Sequence, residues 1–228
     1  AYLTPSSSCA YTIRGYLAPK DSVQTIQLAR IDPATDFRKE LGEYLRHEFH
    51  YQVLDSNIHG KEKALCTIRS PRLDSLVFFC NQKSLNLYAE ALCKTIAVRR
   101  HGHGNWKQGI AAMKHYAEQK GIGSNNIALL DGSGLAPANR ITTNVLARLL
   151  RAYMQEPWYS AFYNSLPIIN GLHMKSGYIG GTRSYAGYIT LQDGQKACFA
   201  FIVNQYSCSP QQVKADMFAI LDRLKAGN

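Results

Sequence analysis

The sequence lacks the features that mark several specialised classes of protein. No apolar run approaches the roughly 18 residues that a membrane-spanning helix needs, so we expect no membrane span. Residues 1–8 have neither the charged start nor the apolar middle of a signal peptide. We therefore expect any export segment to have been removed or to lie further upstream.

The six cysteines form no familiar metal or redox motif. No Cys-x-x-Cys pair occurs, so neither a zinc ribbon nor a thioredoxin-like site is supported. Cys80 and Cys198 each adjoin a phenylalanine, a context typical of small buried side chains. An even number of cysteines permits disulfides in an exported protein, but the sequence leaves their pairing open.

Acidic residues are scarce, with 16 Asp and Glu against 26 Lys and Arg, which gives a formal net charge of +10. This balance favours anionic partners such as nucleic acid, acidic polymers or carboxylate-bearing substrates. The densest basic stretch, residues 99–104, has no interleaved aromatic side chains of the kind that stack on bases. Nucleic-acid binding is therefore disfavoured, although charge alone does not exclude it.

The hydrophobic pattern predicts an α+β protein, an antiparallel sheet flanked by helices. At 228 residues and 46% hydrophobic, the chain is long enough for one substantial core. Apolar spacing and capping residues predict helices over 32–50, from 86 onward, and over 106–119, 142–154, 157–164 and 210 onward. Strands are predicted over 10–13, 25–28, 64–68, 76–80, 127–130, 172–176, 183–191 and 196–204. In the last helix, an apolar stripe is expected at Val213, Met217, Ile220, Leu221 and Leu224.

The stretch Ser84-Leu85-Asn86 stands where a predicted helix begins, and it has two interpretations. Ser84 could be a helix N-cap, which needs only an oxygen close to free backbone amides. It could also belong to a site, but Ser-x-Asn alone is weak evidence because a second copy occurs at 124–126. What strengthens the second interpretation is Lys175-Ser176-Gly177, which lies on a predicted strand that leads into two more strands and a terminal helix.

The order Ser-x-Asn, then Lys-Ser-Gly, occurs in serine acyl-transferases of the penicillin-binding and β-lactamase kind, after a Ser-x-x-Lys motif. The chain resembles the class C low-molecular-mass penicillin-binding proteins, the D-alanyl-D-alanine carboxypeptidase/endopeptidase family. The resemblance runs from about residue 32 to the last helix and implies the penicillin-binding protein/β-lactamase-like transpeptidase fold. The motifs that carry it are Ser84–Glu90, Asp131–Leu135 with Asn139-Arg140, Ser165-Leu166-Pro167, Lys175-Ser176-Gly177 and Tyr185–Tyr188.

The resemblance is partial in two respects. No Ser-x-x-Lys occurs in these residues, although the family's nucleophile is the serine of that motif. The segment between Pro167 and Lys175 is also shorter than the loop with Gly-Thr-Leu that relatives have. The expected organisation is therefore a remnant of an inserted β-rich domain over 1–31 and the C-terminal part of an incomplete penicillin-recognising domain over 32–228.

The resemblance implies a role for each motif residue. Ser84, Asn86 and Lys175 would be catalytic, with Lys175 holding positive potential and favouring proton transfer through Ser84. Ser176 would hydrogen-bond the substrate's terminal carboxylate, and Gly177 would let the peptide approach the strand. The backbone N–H of Tyr178 would donate to the oxyanion. The resemblance implies a periplasmic enzyme without metal or cofactor whose ligands are peptidoglycan stem peptides and β-lactams. Its nucleophile would come from the N-terminal portion of the same protein, so this chain alone is expected to be inactive.

Other candidates have simpler explanations. Asp131-Gly132-Ser133-Gly134 lacks the first glycine of a hydrolase nucleophile elbow and is interpreted as a structural turn. His101, His103 and His115 lack an acidic or thiolate partner nearby in sequence, so a solvated loop is favoured over a metal site. His47 and His50 are interpreted as surface residues. A non-catalytic wall-binding module remains the main alternative to an enzyme, and a nucleic-acid-binding protein is the third.

Overall fold

The first of two compact units spans Ala1–Thr67, and the second spans Ile68–Asn228. The computed structural model describes residues 2–5, 11–14, 32–51, 67 and 69–227. In the first unit, β1 (Tyr2–Pro5) pairs antiparallel with β2 (Tyr11–Arg14), close to the predicted strand 10–13. The predicted strand 25–28 and most of 64–68 lie outside the described residues.

The predicted helix of the first unit is confirmed as α1 (Pro33–Phe49). Asp32 caps it, because its carboxylate accepts a hydrogen bond of 3.1 Å from the Thr35 backbone N–H. Proline at the first helical position has no N–H to leave unsatisfied, so it favours the same start.

The second unit contains the remaining helices and strands. Its described helices are α2 (Leu73–Lys83), α3 (Asn86–His101), α4 (Trp106–Gln119), α5 (Thr143–Tyr153), α6 (Tyr159–Ser165) and α7 (Pro210–Lys225). Its described strands are β3 (Ile127–Ala128), β4 (Arg140–Ile141), β5 (Ile168–Ile169), β6 (Leu172–Ile179), β7 (Thr182–Thr190) and β8 (Lys196–Asn204).

Four strands form one antiparallel sheet in the order β5-β6-β7-β8. Helix α7 covers one face, where Met174 and Tyr185 pack with Met217 in a buried cluster. On the other face Tyr188 packs with Leu150 of α5, and its hydroxyl donates to the Leu150 carbonyl at 2.9 Å. The predicted α+β fold with a helix-flanked antiparallel sheet is therefore confirmed.

Some predicted elements were wrong or partly wrong. Residues 76–80 are helical in α2, not a strand, and Phe78 and Phe79 are 42% and 49% exposed. The stripe of α7 is buried at Val213, Met217 and Leu221, but Ile220 and Leu224 are exposed. The strand predicted over 127–130 has only two residues.

Candidate active site

Ser84 lies in the turn between α2 and α3, but it is not the N-cap of α3. It is the residue after α2, with left-handed backbone (φ 52°), and Leu85 is the residue before α3. The N-cap interpretation is therefore wrong, because the unpredicted helix α2 ends at Lys83. Since no backbone amide of α3 takes up the Ser84 hydroxyl, that hydroxyl can bond elsewhere in the fold.

Lys175 of β6 reaches this turn from the sheet. Its Nζ donates to Ser84 Oγ at 3.0 Å and to the Ser176 carbonyl oxygen at 3.1 Å. Burial lowers the pKa of Lys175, while the nearby Cys80 thiol acts weakly in the opposite direction. Burial raises the pKa of Cys80, while the positive charge of Lys175 acts in the opposite direction. The two motifs that the sequence analysis expected to meet are thus joined by one hydrogen bond.

The residues after Lys175 line the same strand. Because side chains alternate along a strand, Lys175 and Gly177 share one face, and Ser176 and Tyr178 share the other. Gly177 pairs with Ser184 of β7, and a Cβ at Gly177 would lie 2.6 Å from the Ser184 hydroxyl oxygen. Any side chain at position 177 would therefore displace that hydroxyl.

Asn86 and Tyr178 follow Ser84 and Lys175 closely in the chain, and both are exposed. Asn86 is the first residue of α3 and is exposed, and its side chain has no hydrogen bond to another described residue. Tyr178 is 59% exposed, and the Arg183 guanidinium lies 4.9 Å from the centre of its ring. Both side chains are thus accessible to a ligand.

The Asp131 carboxylate makes its hydrogen bonds locally. The carboxylate accepts hydrogen bonds from the backbone N–H groups of Gly134 and Ala136, each at 2.6 Å, and from Asn139 Nδ2 at 3.0 Å. Burial raises the pKa of Asp131, but these hydrogen bonds outweigh it and hold the pKa below its usual value. The contacts agree with the interpretation of this segment as a structural turn.

The five histidines considered from the sequence are exposed, namely His47, His50, His101, His103 and His115. His103 bonds to Gln108, His115 bonds to Gln119, and His47 pairs with Glu48. No group of three or more His, Cys, Asp or Glu side chains that could hold a metal ion occurs among the described residues. The four cysteines that the structure describes, Cys80, Cys93, Cys198 and Cys208, are free thiols.

Sequence reasoning missed the residues that hold the Ser84 turn in place. Asn81 and Gln82, in the last turn of α2, both bond to Ser165 at the end of α6. More than 80 residues separate these partners. The only signal in the sequence was the family motif Ser165-Leu166-Pro167, to which no role had been assigned.

The fold is similar to that of a penicillin-binding protein and of a β-lactamase. The structure of penicillin binding protein 4 from Haemophilus influenzae, solved in complex with a β-lactam, superposes with a TM-score of 0.58 at 23% identity. That alignment covers 66% of this chain and 40% of that one. A class A β-lactamase from Bacteroides cellulosilyticus superposes with a TM-score of 0.53 at 19% identity, covering 67% of this chain and 62% of that one. These similarities identify the penicillin-binding protein/β-lactamase-like fold.

The chain belongs to the D-Ala-D-Ala carboxypeptidase 3 (S13) family, whose model matches residues 4–172. The match includes the Ser84 turn and ends just before Lys175. A D-alanyl-D-alanine carboxypeptidase from Actinomadura sp. is 25% identical over 158 residues, which cover 60% of this chain and 29% of that protein. The chain spans less than half the length of the curated relatives it matches. No helix in the described part of the chain is both long and apolar enough to cross a membrane.

Proposed function

We propose that this chain forms one wall of the active site of a serine-type D-alanyl-D-alanine carboxypeptidase/endopeptidase. The substrate would be a peptidoglycan stem peptide, cleaved through an acyl-serine intermediate, and β-lactams would acylate the same serine. The observation that carries the proposal is the 3.0 Å hydrogen bond between Lys175 Nζ and Ser84 Oγ, two motif residues 91 positions apart.

The direction of that hydrogen bond supports a role in proton transfer. The Lys175 ammonium donates, so the Ser84 oxygen accepts and its own proton stays available to a second partner. A hydroxyl held this way can pass a proton to the departing amine while the positive charge stabilises the negative charge that develops nearby. The lowered pKa of Lys175 eases exchange of a proton along the pair.

The other motif residues would hold the substrate. Asn86 is exposed beside Ser84 and offers an amide to the peptide backbone. Gly177 leaves space over the strand beside Lys175, and the Tyr178 backbone N–H would be one oxyanion donor. Ser176, whose side chain starts on the opposite face of β6, would bind the terminal carboxylate from the strand edge that β5 leaves uncovered. We assign the second oxyanion donor and the nucleophile to a Ser-x-x-Lys segment of the complete protein, contributed by its N-terminal portion.

The domain organisation and location follow as parts of the same proposal. Residues 1–31 would be the end of an inserted β-rich domain, and residues 32–228 the C-terminal part of the catalytic domain. Because peptidoglycan lies outside the cytoplasm, the complete protein would act in the periplasm. The reaction would use no metal and no organic cofactor.

The test is acylation by a fluorescent penicillin, followed by intact-mass spectrometry. We expect the complete protein to form a stoichiometric adduct on a serine outside these 228 residues, and this chain alone to form none. Lys175→Met in the complete protein should slow acylation by about 10²–10³, as expected when one positioned charge is removed.

Three results would contradict the proposal. An adduct on residues 1–228 would place the nucleophile in this chain. An acylation rate of Lys175→Met within about threefold of the wild-type rate would mean that Lys175 has no catalytic role. A complete protein that binds peptidoglycan but forms no adduct would instead be a non-catalytic wall-binding module.

A further inference from the structure

The end of α2 is tied to the end of α6 through one serine. Asn81 Nδ2 donates to Ser165 Oγ at 2.7 Å, and Gln82 Nε2 donates to the Ser165 carbonyl oxygen at 3.0 Å. Ser165 is fully buried, with none of its surface exposed to solvent. Because polar burial is costly without partners, such a residue must be held by its hydrogen bonds.

The hydrogen bonds of Ser165 have only one consistent arrangement. A serine hydroxyl has a single proton, and Ser165 Oγ donates it to the Phe162 carbonyl at 2.6 Å. Asn81 must therefore present its NH₂ group rather than its oxygen. This directionality fixes the Asn81 side chain and with it the last turn of α2. Asn81 lies three residues before Ser84.

The same short segment also holds the strand that carries Lys175. The Pro167 carbonyl accepts a hydrogen bond of 3.0 Å from the backbone N–H of Met174, the residue before Lys175. Leu166, between the two anchor points, is 3% exposed and packs against Tyr188. Ser165 thus holds the turn that contains Ser84, and Pro167 holds the strand that carries Lys175.

We propose that residues 165–167 are a positioning segment that sets the separation of Ser84 from Lys175, with Ser165 as its main anchor to the Ser84 turn. The segment touches neither Ser84 nor Lys175 through a hydrogen bond, so it acts through Asn81, Gln82 and Met174. Its value for catalysis rests on the function proposed above, but the geometry can be tested independently.

The first experiment follows Lys175 itself in this 228-residue chain. ¹³C-labelled lysine side chains are titrated by NMR, and the Lys175 signal is assigned by its loss in Lys175→Met. Asn81→Leu and Ser165→Ala should let the Ser84 turn move away, so Lys175 gains water. Since burial lowers the Lys175 pKa, both variants should shift that pKa upward toward its ordinary value.

Tyr116→Phe is the matched control. It removes one hydrogen bond between separate elements, from the Tyr116 hydroxyl to Glu156 at 3.1 Å, but not one made by the 165–167 segment. We expect it to lower the melting temperature without changing the Lys175 titration. If Asn81→Leu and Ser165→Ala also lower the melting temperature but leave the titration unchanged, Ser165 is only a structural residue and the inference fails. Should Ser165→Ala not fold, Gln82→Met removes a single bond of the segment and is judged by the same shift.

A second measurement separates this inference from the proposed function. In the complete protein, Asn81→Leu should slow penicillin acylation by roughly 10- to 100-fold, because small misplacements of catalytic groups have effects of this size. If the wild-type complete protein is not acylated at all, the proposed function fails while the Lys175 titration still decides the positioning role. If the wild-type complete protein is acylated and Asn81→Leu is acylated at the same rate, the positioning role is overturned and the proposed function stands.

Discussion

The turns at 84–86 and 124–126 have the same Ser-x-Asn pattern but use it over very different distances. The Ser84 hydroxyl accepts a hydrogen bond from Lys175, 91 residues away. The Ser124 hydroxyl donates to Glu118, six residues away on the preceding helix. The comparison shows that the tripeptide by itself does not define a site, because only the Ser84 copy is hydrogen-bonded to Lys175.

The largest expected effect comes from removing the Ser84 hydroxyl in the complete protein, with removal of the Ser124 hydroxyl as the comparison. Ser84→Ala should slow penicillin acylation by on the order of 10²–10³, because it deletes the acceptor of Lys175 and a proton carrier. Ser124→Ala should leave the rate within about twofold, since its partner Glu118 lies on the preceding helix α4 and neither residue bonds to Ser84 or Lys175. Stopped-flow acylation compares the two. Equal losses in both variants would mean that the long-range bond has no special role.

Asp131 sharpens the comparison, because the three hydrogen bonds of its carboxylate are all local. We expect Asp131→Asn to lower the free energy of unfolding by about 2 kcal/mol, since the amide group places donors against backbone donors. Asp193→Asn is the control, because Asp193 accepts one turn bond, from the Gln195 N–H at 2.9 Å, and should cost less than about 1 kcal/mol. Urea denaturation at neutral pH measures both.

The difference in stability between wild type and Asp131→Asn should depend on pH. The folded-state pKa of Asp131 is lowered, so its stabilisation is complete above the unfolded value near 3.8 and is lost as pH falls through the folded value. The gap between wild type and Asp131→Asn should therefore close in acid. A gap that is the same in acid and at neutral pH would mean that ionisation of Asp131 is irrelevant.

The smallest expected effect is that of Lys175 on stability. Lys175→Met should change the free energy of unfolding by about 0.5 kcal/mol or less at neutral pH. Because folding lowers the Lys175 pKa, the unfolded chain binds the proton more tightly, and charging Lys175 opposes folding below the folded-state pKa. Wild type should therefore gain stability relative to Lys175→Met as pH rises through that pKa. A relative loss of stability would show that the charged lysine stabilises the fold.

The sequence predicted the regular elements well where one periodicity dominated. Helix α4 and strand β8 match the predicted 106–119 and 196–204 at both ends. Helix α2 was missed because a short apolar run such as 76–80 fits a strand or a helix equally well. What favours the helix is the contact of α2 with α6 through Asn81 and Gln82, which local pattern cannot reveal.

The candidate site was predictable only in part. The pairing of Ser84 with Lys175 came from the order of family motifs, not from propensity or spacing. The backbone of Ser84 was misjudged, since without α2 the serine looked like the start of a helix instead of the end of one. The anchoring role of Ser165 was unpredictable because both of its partners lie more than 80 residues earlier in the chain.

The left-handed backbone at Ser84 restricts which residues evolution can place there. A side chain at φ 52° costs on the order of 1–2 kcal/mol, a strain that glycine would avoid. Threonine would supply a hydroxyl too, but its branched Cβ makes this conformation worse. Serine is thus the smallest side chain that supplies a hydroxyl, so the hydrogen bond between Ser84 and Lys175 is kept at a cost in backbone strain.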